Sequence, residues 1–254
     1  TMSQDQEQPL IAHLVELRNR LLKSVLVVLA LFLGMFYFAN DLYLILVQPL
    51  SVLLPDTQGQ MIATGVASPF LVPFKLTLVL AVLIAMPFML HQVWGFISPG
   101  LYQNEKRFAV PLLISSTVLF YSGILFAYYV VLPLAFGFFT MAGPDGISFM
   151  PDIANILDFI LKIFFAFGFA FEIPVATFLM VLSGLTTVAA LGEKRPYIFL
   201  GCFVVGMLVT PPDIISQTIL ALPMYALFEG GVLASRLIRK PATEGEQPDA
   251  TDNL

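Results

Sequence analysis

Apolar residues are gathered into long blocks separated by short polar or proline-containing stretches. A hydrocarbon core of ~30 Å needs about 20 consecutive apolar residues in a helix, and four blocks meet that length: Leu21 to Ala39, Leu76 to Ile97, Phe108 to Leu132 and Phe159 to Leu182. Two shorter blocks follow, Tyr197 to Val209 and Thr218 to Leu233, reaching only about 20 and 24 Å at 1.5 Å per residue. Short neighbours of this kind thin the bilayer or border a water-filled hollow. Pro87, Pro174 and Pro223 interrupt spans, each removing a backbone hydrogen bond and bending its helix. The expected fold is an all-α membrane protein of six bent helices in a cup-like wall, the last two short.

The basic residues set the expected orientation. Arg18, Arg20 and Lys23 precede the first span, Lys106 and Arg107 lie in the second connection, Lys194 and Arg195 in the fourth, and Arg236, Arg239 and Lys240 in the tail. Positive charge is retained on the cytoplasmic side, so both termini are expected there. Asn40 to Lys75 and Pro133 to Asp158 are then the outer connections, and LYLILVQPLSVLL, broken by Pro49, reads as an amphipathic outer cap. Residues 1–240 are expected to form one polytopic domain and 241–254 a disordered cytoplasmic tail.

Composition agrees: the 254 residues are 58% hydrophobic and only 11% charged, with mean hydropathy +0.89, where soluble domains carry roughly 25% charge. The net charge of −5 gives nucleic acid binding no support. One cysteine, Cys202, and two separated histidines, His13 and His91, make neither a disulfide nor a common zinc site. No HExxH, GxSxG or Walker sequence occurs, so no enzymatic activity, cofactor or metal is expected.

What remains are acids in apolar settings. Glu172, in AFGFAFEIPVA, sits mid-span, where a charged carboxylate costs roughly 2.5 to 3.5 kcal/mol, so it should face protein or a wet concavity. It reads either as a working group or as a structural hydrogen bond to a neighbouring helix. Glu229 reads as a snorkelling group or a partner of Arg236, and Lys162 as reaching the outer headgroups. Glu16 and Arg20 are spaced i, i+4, which suits an intrahelical ion pair. Alternatively Glu16 and Glu105, on one membrane face, receive paired guanidinium groups from a ligand.

Four runs in order, HLVELRNRLL (13–22), QVWGFISPGLYQNEKR (92–107), PLLISSTVLFYSG (111–123) and KRPYIFLGCFVVGMLVTPPDIISQTILALPMYALFE (194–229), resemble the TatC family, the multispanning subunit of the bacterial twin-arginine protein translocase. The resemblance covers about Gln8 to Arg239. It implies a signal-peptide receptor in the inner membrane that exports folded precursors on the proton-motive force, with TatA- and TatB-type single-span subunits as partners and with self-association. It also implies a signal-peptide site at Glu16 and Glu105, with Arg18, Arg20 and Phe96 nearby. Glu172 matches a polar glutamate of the fourth span, Asp213 belongs to a TPPD turn on the outer side, and Pro49 and Pro87 shape the outer cap and second span. Met207 and Gln217 fall where partner helices pack. Ser68 stands where many relatives carry an acid, so no charge role is assigned there. The rival reading is a proton-coupled secondary transporter with Glu172 as proton relay, which the lack of an internal repeat disfavours.

Overall fold

The computed structural model describes residues 4–51, 61–97, 109–141, 152–209 and 214–236. Their elements are α1 (Gln4–Met35), α2 (Ala39–Ser51), α3 (Ser68–Ile97), α4 (Ala109–Phe126), α5 (Leu132–Met141), α6 (Ile153–Ala170), α7 (Ile173–Leu182), α8 (Val188–Glu193), α9 (Arg195–Val209) and α10 (Ile214–Arg236). Among the described residues, five stretches are long and apolar enough to cross a membrane, and the 15-residue α9 is a shorter apolar helix. The chain is an all-α, multi-pass membrane protein. Below, the side where α1 ends and α3 and α6 begin is the distal side, and the opposite side is proximal.

Several helices outrun their apolar blocks. α1 continues through a 3-10 turn at Phe36–Phe38 into α2 without a break, so the expected cap begins as an extension of the first span. Val47 of α2 is buried while Leu44 and Ile45 are exposed, giving it one packed face. α3 starts at Ser68 and α6 at Ile153, which moves Lys75, Asp158 and Lys162 from helix edges into helices. The α6 start is fixed by its N-cap, Asp152, whose carboxylate accepts from the Asn155 N–H. α10 runs 23 residues because polar flanks prolong its apolar block, yet its 20-residue window is the shortest of the five.

Prolines decide how the spans bend, each in a different way. Pro174, at the second position of α7, cannot bond the carbonyl four residues back, and the fourth span breaks into α6 and α7 at Phe171 and Glu172. Pro133 follows a π-turn at Ala127–Val131, in which the Leu132 N–H bonds to Ala127 O. Pro87 stays inside an unbroken α3. Its missing N–H would have bonded Leu83 O, and the Tyr121 hydroxyl of α4 donates to that carbonyl instead, at 3.0 Å.

Close approach is bought with glycine at the crossings. A Cβ on Gly123 would lie 2.5 Å from Phe167 O, and one on Gly231 would lie 2.1 Å from Thr177 Oγ1 and 2.7 Å from Pro174 Cα. The main core gathers Phe120, Phe167, Ile160, Ile163 and Leu220 between α4, α6 and α10. Outward, Leu26, Leu33, Val110, Ile114 and Leu200 are among many exposed large apolar side chains, as lipid solvation requires. The curved wall leaves a recess of ≈ 620 Å³ between α3, α6, α9 and α10.

Candidate functional site

The proximal ends of α1 and α3 meet through Arg20. Its Nε and Nη2 both donate to Glu16 Oε1, at 2.9 and 2.6 Å, closing the i, i+4 pair expected from the spacing. The same guanidinium reaches α3, donating from Nη2 to Gly95 O at 3.0 Å and from Nη1 to Gln92 Oε1 and O at 3.3 and 3.4 Å. The last carbonyls of a helix lack intrahelical donors and carry partial negative charge, so a cation there satisfies them twice over. Gly95 makes room, since a Cβ at that position would sit 2.4 Å from Arg20 Nη1. Arg20 thus ties the first two spans together and presents Glu16 at a defined place.

Glu16 is half-buried, its side chain 39% exposed, and both Arg20 bonds converge on one of its oxygens. A carboxylate has about four lone-pair sites, so acceptor capacity is left for a second guanidinium. Phe96, half-buried, directly follows Gly95 in α3. Arg18 is not brought to this cluster: two residues from Glu16, it lies about 200° around the helix, and its guanidinium bonds the Asn19 side chain at 3.1 Å. Glu105 lies outside the described residues, as do Asp213 and the 241–254 tail, and for Pro49 only its place in α2 is described.

Mid-membrane, Glu172 occupies the α6–α7 break, and its Oε2 accepts a short hydrogen bond from the Ser116 hydroxyl of α4. Its Oε1 is buried with no partner. The carboxylate therefore makes the interhelical hydrogen bond weighed above, and it is not among the residues lining the large recess.

Around α9 and α10 several polar groups are paired within the chain. Gln217 Nε2 donates to Phe203 O at 2.9 Å, and a Cβ on Gly206 would lie 3.2 Å from the Gln217 side chain, so this glutamine spaces the two helices. Met207 is 49% exposed on α9. At the proximal end Glu229 pairs with Arg195, not with Arg236: Arg195 Nη2 lies 2.7 Å from Oε2, and the Tyr225 hydroxyl donates to Oε1 at 2.8 Å. The α9–α10 hairpin folds Arg195 back over the end of α10, a proximity that sequence distance hides.

On the distal side Asp152 gathers a second cluster, unexpected from the sequence. Its Oδ1 accepts from the Thr64 N–H at 2.9 Å and the Thr64 hydroxyl at 3.1 Å, and the Ile153 N–H donates to Ile62 O at 2.9 Å. The Thr64 backbone bond is the first cause holding this carboxyl below its ordinary range.

Similarity to known proteins covers nearly the whole chain. Residues 12–223 match the family described as Sec-independent protein translocase protein (TatC). A Sec-independent protein translocase protein TatC of Azotobacter chroococcum is 57% identical over 98% of this chain and 95% of its own length, and the one of Escherichia coli K12 is 53% identical over 92% and 91%. A crystal structure of the twin arginine translocase receptor TatC superimposes with TM-score 0.78 at 34% identity, covering 89% of this chain and 98% of that one.

Proposed function

The chain belongs to the TatC family of protein translocase components, and from that premise we propose that it is the signal-peptide receptor and core subunit of the twin-arginine translocase, with Glu16 as the anchor for the signal's arginines. It exports folded precursors across the cytoplasmic membrane on the proton-motive force, with both termini cytoplasmic, so that the proximal side faces the cytoplasm. The observation that carries the reading is the Glu16 carboxylate, fixed through one oxygen by Arg20 with acceptor capacity left on the other. Arg20 acts as a positioning residue, since its donors are engaged on α1 and α3. Glu105 supplies the second carboxylate, and Arg18 flanks the site from the other side of α1. Single-span TatA- and TatB-type subunits pack on α9 near Met207, at a spacing to α10 set by Gln217. Further copies of the chain associate in the assembled complex. Glu172 contributes a polar contact in the membrane interior, and no catalytic step is assigned to any residue.

Binding of a labelled twin-arginine peptide to the purified protein tests the site. Charged hydrogen bonds contribute about 1.5 to 3 kcal/mol, and for the part-exposed Glu16 the low end applies, so Glu16→Gln should weaken binding roughly tenfold. Glu16→Gln with Glu105→Gln should cost less than the sum if the two grip one ligand group. Parent-like affinity of the double variant at low salt, where such pairs are strongest, would refute the assignment.

A further inference from the structure

The ≈ 620 Å³ recess on the distal half of the wall is apolar along its length and charged at one end only. Its floor is formed by Lys162, Phe165 and Phe169 on one face of α6 and by Ile173 at the start of α7, faced by Leu208 of α9 and Met224 of α10. At the distal end Lys75 and Asp158 form an ion pair and cancel, which leaves Lys162, exposed, as the net positive charge of the rim. From Lys162 to Phe169 the α6 part rises about 10 Å, and Ile173 beyond the break extends it toward the ~15 Å depth of one leaflet's hydrocarbon.

We propose that this groove is a phospholipid site: an acyl chain of an anionic lipid of the distal leaflet lies along α6, and its phosphate rests on Lys162. The ligand class follows from the charge at the rim. A zwitterionic headgroup carries its own compensating cation, whereas an anionic one gains the full attraction of the lysine. Phe169, 55% exposed, gives the chain a wall that neighbouring helices leave uncovered. The site is independent of the Glu16 region and of which membrane side the distal face occupies.

Native mass spectrometry of the purified protein with phosphatidylglycerol and phosphatidylcholine at equal mole fraction tests it. One lysine near a charged surface is worth ~1 kcal/mol, so a bound phosphatidylglycerol should be favoured about fivefold, and Lys162→Gln should erase that preference while Lys162→Arg keeps it. Ala166→Phe, which places a ring in the groove, should lower occupancy by both lipids, with an unchanged unfolding midpoint certifying the fold. A photoreactive residue at position 169 in native membranes should join to lipid. Equal retention of the two lipids by the parent protein, or a preference that survives Lys162→Gln, overturns the proposal. So does a crosslink from position 169 to a polypeptide in place of lipid.

Discussion

At the scale of single residues, most hydroxyls in this membrane domain bond carbonyls of their own helix, and a few polar groups serve backbone atoms of another helix. Tyr121 is the clearest case, because Pro87 removes the donor that Leu83 O would have used and the hydroxyl replaces it. A buried carbonyl without a partner is costly, so Tyr121→Phe should lower stability by about 0.5 to 1.5 kcal/mol in detergent. The loss should shrink in a Pro87→Ala background, where the helix supplies its own N–H. A double-mutant cycle on unfolding free energies checks this, and strict additivity would refute the pairing of roles. Arg20 follows the same logic on a larger scale, closing the open end of α3 while holding Glu16.

Between elements, backbone proximity and polar clamps set the crossings. α10 approaches α7 at Gly231, where an added methyl would meet Pro174 Cα, whereas a methyl on the adjacent Gly230 would meet nothing within 4 Å. Overpacking costs about 1 to 3 kcal/mol, so Gly231→Ala should lower the unfolding midpoint. Gly230→Ala should leave it equal or raised, helped by up to ~1 kcal/mol of helix propensity. On the distal side, Asp152 clamps Thr64 to the start of α6. Its carboxyl titrates lower folded than unfolded, so the clamp stabilises fully above the ordinary carboxylate range and is lost as pH falls through the folded value. Amide exchange at Thr64 and Asn155 should therefore be flat from neutral pH down to mildly acidic conditions, after correction for intrinsic rates, and lose protection only in strong acid. Asp152→Asn should remove that pH dependence.

For the whole molecule, the alternation of basic segments implies that the proximal face is cytoplasmic. In a Cys202→Ser background, a membrane-impermeant thiol reagent added outside intact cells should label Thr57→Cys and spare Gln247→Cys. The opposite pattern would invert the orientation. The main core joins the later helices, with two small satellite clusters beside it. α1, with only 11% of its spanning window buried, is held against α3 along one side, while later helices pack more deeply.

The number of apolar stretches, the weakness of the fifth and the class of protein followed from the sequence, because a bilayer imposes its length and polarity on each helix separately. The Glu16–Arg20 pair was legible for a similar reason, since i, i+4 neighbours meet in any helix. Helix ends were less legible: α3 and α6 begin at Ser68 and Ile153, before the apolar blocks, since caps and backbone bonds end helices where hydropathy does not. Only the tertiary structure decided that Arg20 closes α3, that Tyr121 serves the carbonyl freed by Pro87, that Glu229 takes Arg195, and that Glu172 bonds Ser116. Each of those partners lies on another helix, and which faces of two helices meet is set by glycine contacts and proline bends acting together, a joint condition that no local pattern encodes.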